Sequence, residues 1–271
     1  MKNKPYHIII YILISLLPLR ASGQQKDITR TLQGLYDRIQ FTVSDDEMVR
    51  LNDSIRLIVE DYSASDSVFT HKFSTLRFLG QTVSSDQRLK IIAWNMLMQN
   101  GDNRYFTYII RKGKRAGDNT VYKLTGSHKP DMPDAGKTYS TGDWYGALYY
   151  AIGSFRKEYV VLGLDFGGML VSRKVIDVIT FDDNGEIIFG KNIFIRGDKT
   201  RFREILEYSS QSSVSLRFNT PSLIIFDHLA SFTSDDGTDQ SVGSGDSYDA
   251  YEYKKGIWTF KSNVDARNPR K

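Results

Sequence analysis

The chain has 271 residues, 36 lysines and arginines against 32 aspartates and glutamates, a formal charge of +4 and no cysteine. The missing cysteine excludes disulfides, thiolate metal sites, cysteine nucleophiles and a lipoprotein-type lipid anchor. Three of the cations, Lys2, Lys4 and Arg20, stand in the first 23 residues with no acid among them, so the remainder carries +1. That charge is too small for a phosphate backbone, and nucleic acid is not an expected partner.

The chain opens on Lys2 and Lys4, continues through the apolar run Ile8 to Leu19, and ends that pattern with Arg20-Ala21-Ser22-Gly23. A charged start, an apolar middle and small residues before a cut read as a secretory signal peptide over 1–23, cleaved near Gly23/Gln24. The apolar run is short of the roughly 20 residues a spanning helix needs, and no later run approaches that length. An exported protein without an integral membrane span is therefore expected, in the periplasm or secreted. Its remaining length can bury roughly 70% of the unfolded surface, so one domain over 24–271 needs no covalent staple.

Residues 24–72 predict a helical segment. Ile28, Leu32, Leu35 and Ile39 recur at steps of four and three, and Met48, Leu51, Ile55, Ile58 and Tyr62 repeat the spacing. Ser44-Asp45-Asp46-Glu47 supplies an N-cap and a first turn rich in acid for the second helix. Over 73–271 the period becomes two, with β-branched and aromatic residues, as half-buried strands require. Candidate strands lie near 89–94, 105–111, 120–124, 145–152, 158–164, 174–181, 186–189, 202–208, 214–218, 223–226, 248–253 and 257–261. Turn signals such as Asp182-Asp183-Asn184-Gly185 and Lys254-Lys255-Gly256 separate them. The cluster Arg111-Lys112-Gly113-Lys114-Arg115 falls at one such turn and reads as a solvated loop.

The expected fold is α+β: two N-terminal amphipathic helices, then a mostly antiparallel β-meander as a sandwich, barrel or propeller-like arrangement. Two long segments rich in Gly, Ser, Asp and Thr, Gly126 to Asp143 and Ala230 to Ser247, read as loops.

Tyr159-Val-Val-Leu-Gly-Leu-Asp165, Arg173-Lys-Val-Ile-Asp-Val-Ile-Thr-Phe181, Ile224-Ile-Phe-Asp-His-Leu229, Ser247-Tyr-Asp-Ala-Tyr251 and Val264-Asp-Ala-Arg-Asn268 resemble a group of uncharacterised exported proteins of Bacteroidetes-type bacteria. The likeness covers about the C-terminal half. Leu164 and Phe166 replace a tryptophan and a glycine common in that group's first segment. The resemblance implies export and a β-rich body and names no reaction.

Three aspartates interrupt or end apolar strands: Asp165, Asp177 and Asp227. A carboxylate in such a strand must face water, meet donors or titrate. Such carboxylates could serve as acid and base in glycoside hydrolysis, or could bind calcium; the favoured reading is structural, each bonding turn amides or a nearby arginine such as Arg173. His228 adjoins Asp227, but strand neighbours point to opposite faces, so Asp227 cannot simply orient it. The nucleophile elbow G-x-S-x-G and the zinc motif H-E-x-x-H are both absent.

Asp235, Asp236 and Asp239 surround Gly237 like a calcium loop but miss the EF-hand spacing. No cofactor is implied. Trp144, Tyr248, Tyr251 and Trp258, with Asp249 beside them, could stack on and bond to sugars, or simply pack a core. The expectation is a non-catalytic binding or structural protein of the cell envelope, with a glycan or another envelope component as partner. The alternative is a hydrolase of an envelope or extracellular polymer acting through the three aspartates.

Overall fold

A computed structural model describes residues 27–129, 131–168, 170–233 and 239–265, so the leader lies outside the described residues. Helix α1 runs over 27–41 and α2 over Asp45–Ala64. The turn between them is fixed by the predicted cap: the Glu47 amide donates to Ser44 Oγ at 3.4 Å, and the Met48 amide to Ser44 O at 2.9 Å. Leu32, Ile39, Met48, Leu51, Ile55, Val59 and Tyr62 are the buried apolar residues of the two helices. Val59 thus takes the fully buried position expected for Ile58, which is half-buried.

The chain divides into two compact units. The described part of the first is 27–62 with Lys72–Phe78, where Tyr36 stacks on Phe78 at 3.8 Å and Tyr62 meets Phe73 at 4.6 Å. The second is Ser63–His71 with the chain from Leu79 onward. Lys90 explains why 63–71 goes with the strands: its buried ammonium donates to Val68 O at 2.6 Å and His71 O at 2.9 Å, holding the 3-10 helix Asp66–Phe69. Two more bonds fasten that segment, from the Gly117 amide to Asp66 Oδ1 and from Asn119 Nδ2 to Ser65 O.

The second unit carries three sheets. The first contains β1 (Gly80–Val83), β2 (Leu89–Leu97), β3 (Asn103–Arg111) and β4 (Thr120–Ser127), antiparallel in that order. The second is formed by β5 (Leu148–Phe155), β6 (Glu158–Asp165), β7 (Val171–Phe181) and β11 (Glu204–Ser209), ordered β11-β7-β6-β5, with β8 (Ile187–Phe189) also on β7. The third contains β9 (Phe194–Arg196), β10 (Lys199–Arg201), β12 (Leu216–Thr220), β13 (Leu223–Thr233), β14 (Asp239–Lys254) and β15 (Ile257–Val264), ordered β10-β9-β15-β14-β13-β12. Only the β15–β9 pairing is parallel among the described strands. The fold is α+β, two helices followed by mostly antiparallel sheets that include a curled half-barrel.

The second sheet is covered on both faces. Val161, Val175 and Ile179 join Ile91, Tyr105 and Ile109 of the first sheet in one core. Val160, Leu162, Ile176 and Val178 join Ile224, Phe226, Tyr251 and Trp258 of the third sheet in another. Two covered faces account for the unbroken apolar run 159–162 and for the run 175–179, broken only by Asp177, where a half-buried strand would alternate.

Three short strands, β1, β9 and β10, go beyond the sequence expectation. The segment Ala230–Ser247 differs from it: the ladder continues from Leu229↔Gly243 to Thr233↔Asp239, making this the outer part of a long β13–β14 hairpin and not a loop. Backbone pairing overrides the weak strand preference of its Gly, Ser and Asp residues. Of the other long segment, Gly126 to Asp143, the first two residues finish β4, and the described residues from His128 onward lie in a loop that runs over 128–147, tied down by the bridge Tyr139↔Phe189. At the β14–β15 turn, Lys255 and Gly256 both have positive φ, 51° and 93°, the paired left-handed geometry of a two-residue hairpin turn.

Candidate functional site

Asp165 ends β6, and Arg173, the third residue of β7, stands directly across the ladder from it. Both are buried, and Arg173 NH1 lies 3.3 Å from Asp165 Oδ2. The same carboxylate accepts from Tyr105 OH at 2.6 Å and the Gly167 amide at 3.0 Å, and His128 Nδ1 stands 2.9 Å from its Oδ2. Gly167 is required here: its φ is +63°, and a Cβ would meet Val171 O at 1.7 Å. Arg173 also reaches Glu207 through Nε at 2.7 Å and Lys129 O through NH1 at 2.8 Å. One guanidinium therefore ties together β6, β7, β11 and the start of the 128–147 loop.

Asp177 lies on the same face of β7, four residues farther along. It is fully buried, and its Oδ2 accepts from Arg203 Nε at 3.1 Å and Tyr145 OH at 2.7 Å, while Oδ1 takes the Val178 amide at 2.7 Å. Arg203 spends its other donors on backbone carbonyls: NH1 on Asp134 and Lys137, NH2 on Phe189 at 3.1 Å. Burial works most strongly against the guanidinium's charge, but the Asp177 carboxylate together with Tyr145 and Tyr149 outweighs it and holds Arg203 above its ordinary value. Burial, reinforced by Asp177, pushes the Tyr145 hydroxyl well up, so it stays a neutral donor.

Between these two arginine anchors the loop walls a cavity of about 340 Å³. Tyr139, Tyr145, Met132 and Pro133 give it aromatic and apolar surface, and Asp165 and Arg173 also border it. Charges of both signs stand around it: Lys129 and Lys137 against Asp131, Asp134 and Asp143. Lys137 Nζ lies 4.4 Å from the Tyr139 ring centre and 3.9 Å from Asp143 Oδ2. Asp143 is held below its ordinary value first by the Ser140 amide, which donates to Oδ1 at 2.6 Å, against a smaller effect of burial. The Asp134 carboxylate accepts the Gly136 amide at 2.7 Å, and the Asp134 amide donates to Tyr139 OH at 2.8 Å.

The three carboxylates singled out in the sequence do not share a site. Asp165 and Asp177 are separated by four residues of strand, about 13 Å at ~3.3 Å per residue, more than the ~5–9.5 Å that separates paired glycosidase carboxyls. Asp227 is in the third sheet, where its Oδ2 accepts the Ser215 amide at 2.8 Å. His228 meets a different carboxylate, its Nδ1 lying 3.0 Å from Asp249 Oδ2. Asp249 is buried, its Oδ1 taking the Asn263 amide at 3.2 Å.

Trp144, Tyr251 and Trp258 are only 3%, 0% and 0% exposed. They pack the two cores and offer no ring face to a ligand. Tyr248 is half-buried, with the Arg217 guanidinium 5.6 Å from its ring centre. Asp235 and Asp236 lie outside the described residues, and Asp239 pairs with Thr233 in the hairpin. No group of three or more metal-ligating side chains occurs among the described residues, and none of their helices is long and apolar enough to cross a membrane.

Sequence reasoning missed Lys129, Lys137, Tyr139 and Arg203. For the first three the one signal was that they sit in the long segment beginning at Gly126; Arg203, between β10 and β11, carried none. Comparison with family models, curated proteins and solved structures returns no match.

Proposed function

We propose that the β-rich unit is a non-catalytic binding module of the cell envelope, taking a short glycan or a similar polyhydroxyl ligand beneath the 128–147 loop. The supporting observation is the anchoring of that loop. Arg173 holds Lys129 O, and Arg203 holds the carbonyls of Asp134 and Lys137, so the cavity wall is built before any ligand arrives. Ordering such a loop on binding would cost affinity, and a wall fixed in advance avoids that cost. Tyrosine surface with donors and acceptors in near balance suits a ligand rich in hydroxyls and low in charge. The leader sequence supports a place outside the cytoplasm.

Binding is favoured over hydrolysis because Asp165, Asp177 and Asp227 are each engaged by an arginine or an amide and stand too far apart to act as a pair. A glycan array and a cell-wall pull-down of the chain without residues 1–23 test the reading. Binding is expected, weakened several-fold in Lys137→Ala and Tyr139→Ala with an unchanged urea midpoint for Lys137→Ala. Silence in both assays overturns it, and release of reducing ends from a bound polymer, lost in Asp165→Asn, replaces it with the hydrolase.

A further inference from the structure

The helical unit holds a cavity of its own, about 360 Å³, between α1 and the segment Lys72–Phe78. Gln33, Tyr36 and Gln40 line it from α1, and their spacing of three and four places them on one face of that helix. Thr75, Arg77 and Phe78 line it from the other side. Both walls are fixed from behind. Leu32 and Ile39, next in the chain to Gln33 and Gln40, are buried, and so are Phe73 and Leu76. The rings of Tyr36 and Phe78 lie 3.8 Å apart and within 7° of parallel, a stack that joins the two walls.

The charge of the lining is one-sided. Arg77 is exposed, and its guanidinium has no hydrogen bond or ion pair among the described residues. No carboxylate lines the cavity. Asp37, close by on α1, accepts Gln33 Nε2 at 2.6 Å and borders a different groove with Arg38 and Glu47. The neutral groups can both give and accept: Gln33 keeps its carboxamide oxygen, Gln40 has a whole carboxamide, and Thr75 has a hydroxyl. Burial pushes the Tyr36 hydroxyl up, against a smaller effect of the Gln40 side chain, so it remains a neutral donor. One unopposed cation among neutral hydrogen-bonding groups suits a ligand with one negative charge and several hydroxyls. The guanidinium fork matches the two oxygens of a carboxylate. The volume falls at the small end of the ~300–1,000 Å³ range of ligand sites, which is room for a single sugar ring.

We propose that this cavity binds a small hydroxylated carboxylate of the size of one hexuronic acid, with Arg77 pairing with the carboxylate and Gln33, Tyr36, Gln40 and Thr75 bonding the hydroxyls. The site lies wholly within the helical unit. It does not rest on the reading of the cavity beneath the 128–147 loop, whose lining carries charges of both signs.

The test is an NMR titration of the isotope-labelled full chain with sodium glucuronate, followed through its amide signals and the Arg77 Nε signal. Signals of Gln33, Tyr36, Gln40, Thr75 and Arg77 are expected to shift together along one binding curve. Glucose keeps the ring and hydroxyls but lacks the charge, and it is expected to bind about tenfold more weakly, the scale of one charge-assisted hydrogen bond. Arg77→Gln changes an exposed side chain, so it should weaken glucuronate by a similar factor while the urea midpoint stays where it was. Absence of shifts at these residues at the highest soluble glucuronate overturns the site. Glucose binding as well as glucuronate, or inorganic phosphate binding better, overturns the carboxylate assignment, and undiminished binding in Arg77→Gln overturns the role of the guanidinium. Shifts confined to Lys129–Asp143 place the ligand in the other cavity, so the two readings fail separately.

Discussion

A carboxylate buried in an apolar strand is costly unless donors surround it, and Asp177 has three: Arg203 Nε, Tyr145 OH and the Val178 amide. Removing Arg203 leaves this charge without compensation and also frees the carbonyls of Asp134, Lys137 and Phe189. We expect Arg203→Met to lose about 3–5 kcal/mol in urea unfolding, the cost of breaking a buried pair from one side. The double variant Arg203→Met with Asp177→Leu should recover much of that loss, because two apolar residues leave no charge behind. If the double variant is as unstable as the single one, the carbonyl bonds and not the ion pair hold this region. The need for a partner was legible in the sequence, since an aspartate within Val175-Ile176-Asp177-Val178-Ile179 must meet donors. The identity of the partner was not, because Arg203 is 26 residues away and on another strand connection.

At the scale of elements, most strands were legible from their period of two, and the helices from their apolar spacing and the cap at Ser44. The two long Gly/Ser/Asp-rich segments looked alike in composition and turned out different: one extends a hairpin, the other is a pinned loop. Composition reports the preference of each residue and not the ladder that overrides it. The pinned loop should respond to acid at Asp143. Its carboxyl is held below the ordinary 3.8 by the Ser140 amide, so in the folded protein it binds a proton less readily than in the unfolded chain. The support it gives is fully present above that value and is lost as the pH falls through the lower folded value. Amide hydrogen exchange at Ser140 and Gly142 should accelerate, beyond its intrinsic pH dependence, as the pH falls below 3.8. In Asp143→Asn the extra acceleration should vanish, and its survival would place the titration on another group.

For the β-rich unit as a whole, the second sheet is the shared wall of two cores, with Ile179 facing one and Ile176 the other. Ile176→Ala and Ile179→Ala should each cost about 2–5 kcal/mol, the range for truncating a buried aliphatic side chain. Both should lower one common unfolding transition, followed through the buried Trp94, Trp144 and Trp258. Separate transitions for the two variants would mean the cores unfold independently. The amino-acid sequence by itself determined the class of this protein, α+β without cysteine, because apolar spacing and turn chemistry are local properties. It also marked Asp165, Asp177 and Asp227 as carboxylates needing partners. Only the tertiary structure decided which partners they have, that three sheets form with the middle one covered on both faces, and that Trp144, Tyr251 and Trp258 face inward. Those outcomes depend on contacts between residues far apart in the chain, and spacing along one strand carries no information about what packs against it.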